Sequence, residues 1–352
     1  MSGAAFGFVL QRSRFCFASA FRDLFLLHDR RVALGILAAI AAGSLGYQVV
    51  FGAWVPDPTM GYVPPTAHIA PAGWHLVLGG GAFGLGMVLA GGCISGNLYR
   101  LGEGSTTAPV ALVSAGLGFW GGFAAWPFLY TREIATAPVI WLPERFGYAG
   151  ALVLQLAIVG ALAAALIHVL PAPVPRPAER LTVTSGLRRV FVQGWPAWMG
   201  GVAIGVIGTF AFLRTRPLGV TSEIGRYARG AGEALGLVPD RLEGLDTLAG
   251  CRAIATEALL SENGLFVAAL VAGSFCAAAA AGEFRVRLGR LRSYLLAVPG
   301  GLLLGFGAMI SLGCTVGTLL SGTMAFSMSG WVFAAGLLGG AWAGAALLRR
   351  LA

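Results

Sequence analysis

Eight stretches of this chain are apolar over about 20 residues each, the length that an α-helix needs to cross a hydrocarbon core of roughly 30 Å. They lie at 32–52, 75–95, 108–130, 148–170, 195–213, 263–282, 294–312 and 326–348. An earlier apolar stretch, 4–21, is interrupted by Gln11-Arg12-Ser13-Arg14 and predicts a short helix or a re-entrant element. The sequence therefore predicts an all-α polytopic membrane protein with about eight transmembrane helices plus re-entrant or broken helices.

The composition agrees with a lipid environment. Apolar residues make up 57% of the chain and charged residues only 11%, against about 25% charged residues in a soluble domain. The net charge of +9 comes from arginines in short loops between the apolar spans. Membrane topology accounts for arginines in that position. We therefore expect no nucleic-acid partner and a lipid bilayer as the surroundings.

The distribution of arginine also predicts an orientation. Arginines concentrate in loops 22–31, 171–190 and 283–293 and in the tail Arg349-Arg350. Loop 53–73 has none, and loop 214–262 has six against seven acidic residues. Eight crossings place all the basic segments on one side, which the positive-inside rule assigns to the cytoplasm. This count predicts that both termini are cytoplasmic.

Two glycine-rich blocks repeat each other 221 residues apart. Six glycines, one cysteine and one leucine recur in the same register, and such self-similarity indicates a duplicated unit. The positions are Gly79, Gly80, Gly84, Gly86, Gly92, Cys93, Gly96 and Leu98, repeated as Gly300, Gly301, Gly305, Gly307, Gly313, Cys314, Gly317 and Leu319.

The predicted topology gives the two copies opposite orientations. The span that ends in Gly92-Cys93 runs from outside to inside, and the span that ends in Gly313-Cys314 runs from inside to outside. We therefore predict one membrane transport domain, 1–352, built from inverted repeats at 1–130 and 195–352 that 131–194 connects. Inverted repeats of this kind place a substrate site near the midplane, between interrupted helices.

The residues at the two breaks favour a small anion. Helices that restart within a protein-lined cavity present free amides and a positive dipole end. Candidate pathway residues carry amides, polar side chains or thiols: they are Gly92, Cys93, Gly96, Asn97, Gly313, Cys314 and Gly317. A thiol has a soft sulfur, which suits an anion that itself exposes sulfur. Close helix packing is the simpler explanation for Gly84, Gly86, Gly305 and Gly307.

Three blocks make the chain resemble a known family. They are Arg-Ser-Arg-Phe-Cys-Phe at 12–17 with Phe21-Arg22-Asp23, Gly91-Gly92-Cys93 to Gly102-Glu103-Gly104, and Gly313-Cys314 to Gly322. Together they resemble the YeeE/YedE family of bacterial inner-membrane sulfur-transport proteins. The resemblance implies import of thiosulfate through a narrow central route lined by cysteines. It matches the motif cysteines to Cys93 and Cys314, with Cys251 as a third at the outer entrance. Any cytoplasmic sulfur-carrier protein that accepts the ion would be a separate protein.

Several other residues admit two readings at this point. Cys16 lies in the family motif, which favours a function, and also on an apolar run, which favours helix packing. For Cys251 three interpretations are open: an exposed thiol, a pathway residue or a disulfide partner of Cys314. Arg14 and Arg216 attract anions at the two mouths or only extend to the membrane interface. Cys276, among alanines, predicts a helix-packing residue. The four histidines show no ligand spacing, so we expect neither a metal site nor a cofactor.

Two alternatives to thiosulfate import remain open. One is transport of another sulfur- or selenium-containing anion. The other is a membrane thiol oxidoreductase, which usually needs a close pair such as Cys-x-x-Cys, whereas the nearest two cysteines here, Cys251 and Cys276, are 25 positions apart. We therefore expect a transporter and no enzyme. The predicted spans contain no carboxylate for ion coupling, which favours a passive or lightly gated route.

Overall fold

A computed structural model describes residues 1–64, 66–170, 191, 194–214, 216–239, 241–245, 248 and 261–351. In these residues every regular element is a helix. The α-helices longer than one turn are α1 (Ser2–Ser13), α2 (Phe17–Leu26), α3 (Arg31–Trp54), α4 (Trp74–Leu89), α5 (Ile94–Gly102), α6 (Thr107–Leu129), α7 (Leu142–Val169), α8 (Ala197–Arg214), α9 (Thr221–Ala234), α10 (Glu262–Ala280), α11 (Leu291–Ile310) and α12 (Met328–Leu351). Two π-helices cover Tyr130–Ile134 and Thr315–Ser321.

Each of the eight predicted spans coincides with a helix that is long and apolar enough to cross a membrane. These helices are Arg31–Trp54, Trp74–Gly102, Thr107–Ile134, Leu142–Val169, Ala197–Arg214, Glu262–Ala280, Leu291–Ile310 and Met328–Leu351. The prediction of an all-α polytopic membrane protein is therefore confirmed.

Two of these membrane segments are interrupted at the repeated Gly-Cys sequence. After α4 the chain turns at Gly91, with φ of 71°, and α5 begins after Cys93. After α11 it turns at Leu312, the residue equivalent to Gly91, with φ of 54°, and the π-helix begins after Cys314. A leucine in this left-handed region is strained, so the surrounding fold must impose the turn. Both copies of the repeat thus make the same break.

The repeated glycines bring α4 and α11 into backbone contact. A Cβ atom on Gly79 would lie 2.9 Å from the Gly307 carbonyl oxygen, and one on Gly86 would lie 2.7 Å from that of Gly300. Residue numbers rise along one helix as they fall along the other, so the two helices run antiparallel. The two copies therefore have opposite directions, as the topology predicted.

Each of the following close helix pairs joins a helix of one copy to a helix of the other copy. A Cβ on Gly305 of α11 would meet the carbonyl oxygen of Ala115 on α6, and one on Gly84 of α4 would meet that of Leu337 on α12. In the same way α3 packs against α8 and α1 packs against α10. Such exchanged pairs are what two inverted, pseudo-symmetric repeats produce.

The arginine-bearing segments gather at one end of the bundle. Arg349 donates a hydrogen bond to the carbonyl of Phe25, and Arg292 donates to that of Leu351. At the other end the C-terminal parts of α3 and α8 meet, where the rings of Trp54 and Phe212 lie 5.1 Å apart and tilted by 53°. The predicted basic loop 171–190 lies outside the described residues.

The two chain ends do not lie on the same side, contrary to the prediction from counting spans. Helix α1 runs parallel to α10, with Gly3 against Phe266 and Gly7 against Leu270. Met1 consequently lines a cavity with Glu262 at the end where α3 and α8 terminate, whereas Leu351 lies with Arg292 at the opposite, arginine-rich end. The prediction failed because it counted only apolar stretches of about 20 residues, and α1 has 12 residues.

Replacing Gly305 by alanine tests the close approach of α11 to α6. The new Cβ would lie 1.8 Å from the Ala115 carbonyl oxygen, so the helices must separate, and we expect a loss of about 1–3 kcal/mol in stability. Gly116→Ala is the matched control, because no atom lies within 4 Å of its Cβ position. Thermal unfolding in detergent should show a lower Tm for Gly305→Ala only; equal Tm values for both variants would contradict the packing.

Candidate functional site

The two breaks meet at the centre of the bundle. Thr315, the first residue of the π-helix, lies close to the Cys93 sulfur, and Cys93 is the residue that precedes α5. The Thr315 hydroxyl is buried and has no oxygen or nitrogen as a hydrogen-bond partner among the described residues. The N-terminal ends of the two half-helices therefore meet in the buried centre of the bundle, and both direct their positive dipole ends towards this meeting point. We call this meeting point the central gap.

Cys93 is held in place by the start of its own helix. Its sulfur accepts a hydrogen bond from the Gly96 amide at 3.3 Å and lies 3.3 Å from the Ser95 hydroxyl. The side chain is fully buried. A sulfur at the positive end of a helix is well placed beside an anion, because amides and hydroxyl groups converge on the same point.

A second thiol lies beside Cys93. A Cβ on Gly96 would be 2.9 Å from the Cys16 sulfur and 3.3 Å from the Cys93 sulfur, and the two thiols lie close enough to interact directly. Cys16 occupies the break between α1 and α2 and is buried. Sequence reasoning left its role open, since the 77 positions that separate the two cysteines gave no sign that they meet. Its place in the motif at 12–17 was the available signal.

Cys314 occupies the equivalent position in the other break and is also buried. The backbone around it is covered by His68, which belongs to the segment between α3 and α4. The His68 ring lies 3.2 Å from the Thr318 hydroxyl, and a Cβ on Gly313 would be 3.1 Å from that ring. Burial lowers the pKa of His68 to about 4, so the ring is neutral at pH 7. Sequence reasoning missed His68, because nothing near it in the chain marks it as part of a site.

Asn97 and Thr318 are equivalent residues that brace the two breaks. The Asn97 side-chain amide donates to the carbonyls of Gly92 and Cys93 at 3.0 and 3.1 Å. The Thr318 hydroxyl lies 3.4 Å from the Ser311 carbonyl. These contacts leave no room for a side chain at Gly92 or Gly313, whose Cβ atoms would lie 3.1 and 2.3 Å from the bracing residues. Asn97 therefore shapes the break with its amide nitrogen.

A cavity of about 360 Å³ opens at the arginine-rich end, next to α2 and α5. We call it the vestibule, and its charged and polar lining includes Arg14, Ser19, Asp23, Arg100, Glu103 and Arg287. Arg14 is half exposed and lies 3.1 Å from Glu283 and 3.7 Å from Glu103. Burial alone would raise the pKa of Glu283, but Gln11, Arg14 and Arg12 outweigh it and lower that pKa.

Arg216 lies at the opposite end, as the sequence predicted. It lines a cavity of about 890 Å³ with Arg214 and Leu218. Its guanidinium group is 3.9 Å from Glu262 and more than half exposed. Arg14 and Arg216 thus line two cavities at opposite ends of the bundle, each beside a carboxylate.

The other two cysteines do not belong to the described central site. Cys251 lies outside the described residues. Cys276 lies exposed on α10, so the prediction that it packs between helices was wrong. The alanines on either side of Cys276 favoured a packed position, but its side chain points away from the bundle.

A buried ionisable pair lies where α4 begins and the π-helix after α6 ends. The His75 ring nitrogen Nδ1 is 2.5 Å from a Glu133 carboxylate oxygen, and both side chains are buried. Glu133 follows α6 in the π-helix Tyr130–Ile134, which extends that helical segment beyond the predicted end at 130. The predicted span 108–130 itself contains no carboxylate, and Glu133 lies three residues beyond it.

The chemistry of the central gap suits an anion better than a cation. Among the described residues no group of three His, Cys, Asp or Glu side chains could hold a metal ion. The gap instead presents helix N-termini, hydroxyl groups and thiols, which bind negative charge and soft sulfur.

Comparisons with known proteins agree with a sulfur anion. The family model described as sulphur transport matches residues 12–343. The chain is 29% identical to the thiosulfate transporter TsuA of Escherichia coli over 97% of this chain and 91% of that protein. It is 30% identical to the thiosulfate transporter TsuA of Spirochaeta thermophila over 99% of this chain and 97% of that protein. It also shares 38% identity over 103 residues with the probable transporter YedE of Salmonella typhimurium, which covers 29% of this chain and 23% of that protein.

Mild oxidation tests whether Cys16 and Cys93 are neighbours. We expect copper phenanthroline to join them in a disulfide that peptide mass spectrometry detects, because their sulfurs flank the same glycine. Cys276, exposed on α10, should not join either of them. Failure of the Cys16–Cys93 disulfide to form in folded protein, or its replacement by a pair with Cys276, would contradict the site.

Proposed function

The chain belongs to the sulphur-transport family, and we propose that it imports thiosulfate into the cytoplasm through the central gap between the two Gly-Cys breaks. Cys93, Cys314 and Cys16 contact the ion in this proposal. Gly92, Gly96, Gly313 and Gly317 keep the route open, and Asn97 braces it.

The observation that carries the proposal is the meeting of the two half-helices. Cys93 and Thr315 lie close together although 222 positions separate them in the chain. The N-terminal amides can bind the oxygens of the thiosulfate sulfonate group, because the positive ends of both helices point at the gap. The thiols face the terminal sulfur, which is soft and polarisable like their own.

The proposal extends to the repeats and to the orientation. The repeats comprise 1–130 and 195–352, with 131–194 between them. The arginine-rich end of the bundle, with the vestibule and the C-terminus, faces the cytoplasm of a bacterial inner membrane. The mouth beside Arg216 then faces outward. Cys251 stands as a third pathway cysteine at this outer mouth only on the strength of the family motif.

Import of a dianion needs a source of energy. Moving it against an inside-negative potential costs roughly 2.3 kcal/mol per charge for each 100 mV. Removal of the ion by a separate cytoplasmic sulfur-carrier protein would supply this. The buried pair of His75 and Glu133 offers a second source of energy, the coupling of uptake to a proton. In that case a protonophore would abolish uptake.

Uptake in cells with thiosulfate as sole sulfur source tests the proposal. Cys93→Ala and Cys314→Ala should each abolish growth, and Cys16→Ala should slow uptake at least severalfold, because each removes a thiol from the gap. Cys276→Ala is the matched control, since its thiol is exposed on α10. Normal growth of Cys93→Ala and Cys314→Ala at unchanged membrane abundance would refute the proposal.

The nearness of Cys16 to Cys93 also favours a second candidate, a membrane thiol oxidoreductase. Such an enzyme would cycle this pair between thiols and a disulfide. Trapping free thiols during thiosulfate uptake separates the two functions: transport predicts that both cysteines stay reduced throughout, and a redox enzyme predicts their periodic loss. Competition by other sulfur or selenium anions in proteoliposomes identifies the preferred cargo.

Gly96→Ala tests the route without removing a thiol. The new methyl group would lie 2.9 Å from the Cys16 sulfur and 3.3 Å from the Cys93 sulfur, so it fills the space between them. We expect uptake to fall at least about tenfold with little change in Tm, because one methyl group next to two side chains is a small overpacking. Gly121→Ala, whose Cβ would meet only Phe306 at 3.6 Å, should transport normally. Normal uptake by Gly96→Ala would place the route elsewhere.

A further inference from the structure

We propose that the vestibule contains an oxyanion-binding subsite centred on Arg100, which receives the transported ion as it leaves the central gap. The inference rests on the proposed function and adds a residue and a direction to it. It assigns to Arg100 direct contact with the oxygens of the ion.

Arg100 is anchored to the first break. It lies in the last turn of α5, and its Nη1 donates a hydrogen bond to the carbonyl of Gly91, the residue that makes the turn after α4. Gly91 is two residues from Cys93. The guanidinium group is therefore fixed directly behind the break, and it still carries further N–H groups, since an arginine has five.

The vestibule reaches from Arg100 towards the two thiols. Ser19 and Arg100 both line it. The Ser19 hydroxyl donates to the carbonyl of Cys16 at 2.9 Å. The sulfur of Cys16 lies beside Gly96, next to Cys93. Gly96, which lies between the two sulfurs, precedes Arg100 by four residues on α5, about one helical turn. In this proposal an ion that passes between the thiols therefore reaches Arg100 next.

Arg100 forms no close ion pair. Within the described parts of the chain, no carboxylate lies within 4.0 Å of its guanidinium group. Glu103 acts on Arg100 electrostatically from a greater distance, but it bonds to Gln11 at 3.2 Å, and Asp23 pairs with Arg22 at 2.8 Å. A partly buried cation without a close ion-pair partner interacts with an anion more strongly than an exposed one does.

The arginine and the second thiol beside the break are present in only one of the two repeats. The residue equivalent to Arg100 is Ser321, 221 positions later, and the residue equivalent to Cys16 is Leu218 in the matching Arg-x-Arg segment. The pairing is structural as well, because the Ser321 hydroxyl donates to the Leu218 carbonyl at 3.0 Å. The duplication therefore kept the cysteine of each break, but at these two equivalent positions it placed a thiol and a cation in the first repeat and a leucine and a serine in the second.

This asymmetry sets where the ion is held. Towards the vestibule the ion meets a thiol and then a guanidinium group, and towards the other mouth it meets a leucine and a hydroxyl that is already bonded. Arginine recognises oxyanions by charge and hydrogen bonding without regard to sulfur. The subsite should accordingly bind sulfate as well as thiosulfate, and preference for soft sulfur should come from the cysteines.

Equilibrium binding of radiolabelled thiosulfate to the purified full chain in detergent tests the subsite. Arg100→Gln should weaken binding about tenfold or more, because it removes a charge-assisted hydrogen bond, and Arg100→Lys should recover most of the loss. Competition by sulfate should weaken by the same factor. Arg132→Gln is the control, since Arg132 is exposed over Phe128 at the opposite end, and it should bind as the wild type does.

Asp23→Asn provides a test that leaves Arg100 and its bond to Gly91 in place. Removing this acid makes the vestibule more positive, and we expect about twofold to fivefold tighter binding at low salt. If folded Arg100→Gln binds thiosulfate with wild-type affinity, the subsite alone is overturned. If Arg100→Gln does not fold, unchanged binding by Asp23→Asn overturns it instead. A wild-type protein that neither binds nor transports thiosulfate would instead overturn the proposed function, and the subsite with it.

Discussion

The contact between the backbones of α4 and α11 is the constraint on which the rest of the structure depends. Gly79 faces Gly307 and Gly86 faces Gly300 across this antiparallel pair, so no side chain separates the two helices. Because each helix then breaks at the same point of its repeat, the chain is led into two half-helices that face each other from opposite directions. A bulkier interface would move the breaks apart, and Cys93 would no longer lie beside Thr315.

The fold was largely predictable because lipid imposes a simple rule on length and polarity. All eight spans, the break at each Gly-Cys and the opposite directions of the two copies followed from apolar runs, arginine placement and repeated glycines. The side on which the N-terminus lies was predicted wrongly, because the 12 residues of α1 are too few for that rule. Helix α1 nevertheless packs along α10 through its glycines. Positions that depend on packing, such as exposed Cys276, had no local signal.

The site was predictable only as far as the repeat reached. Cys93 and Cys314 were marked by their register, whereas His68 and the contact between Cys16 and Cys93 arise from segments that are distant in the chain. The differences between the copies are as informative as their likeness. A duplicated frame supplies two facing breaks, and in the proposed route the difference between Arg100 and Ser321 gives that frame a direction that symmetry alone would lack.

Locating the bound ion is the most direct test of the account. Selenosulfate carries a selenium atom in place of the terminal sulfur, and anomalous scattering from crystals soaked with it would show where that atom rests. The account predicts a selenium peak in the central gap between Cys93 and Thr315, near the Gly96 backbone. A peak confined to the cavity beside Arg214 and Arg216, with the gap empty, would contradict it.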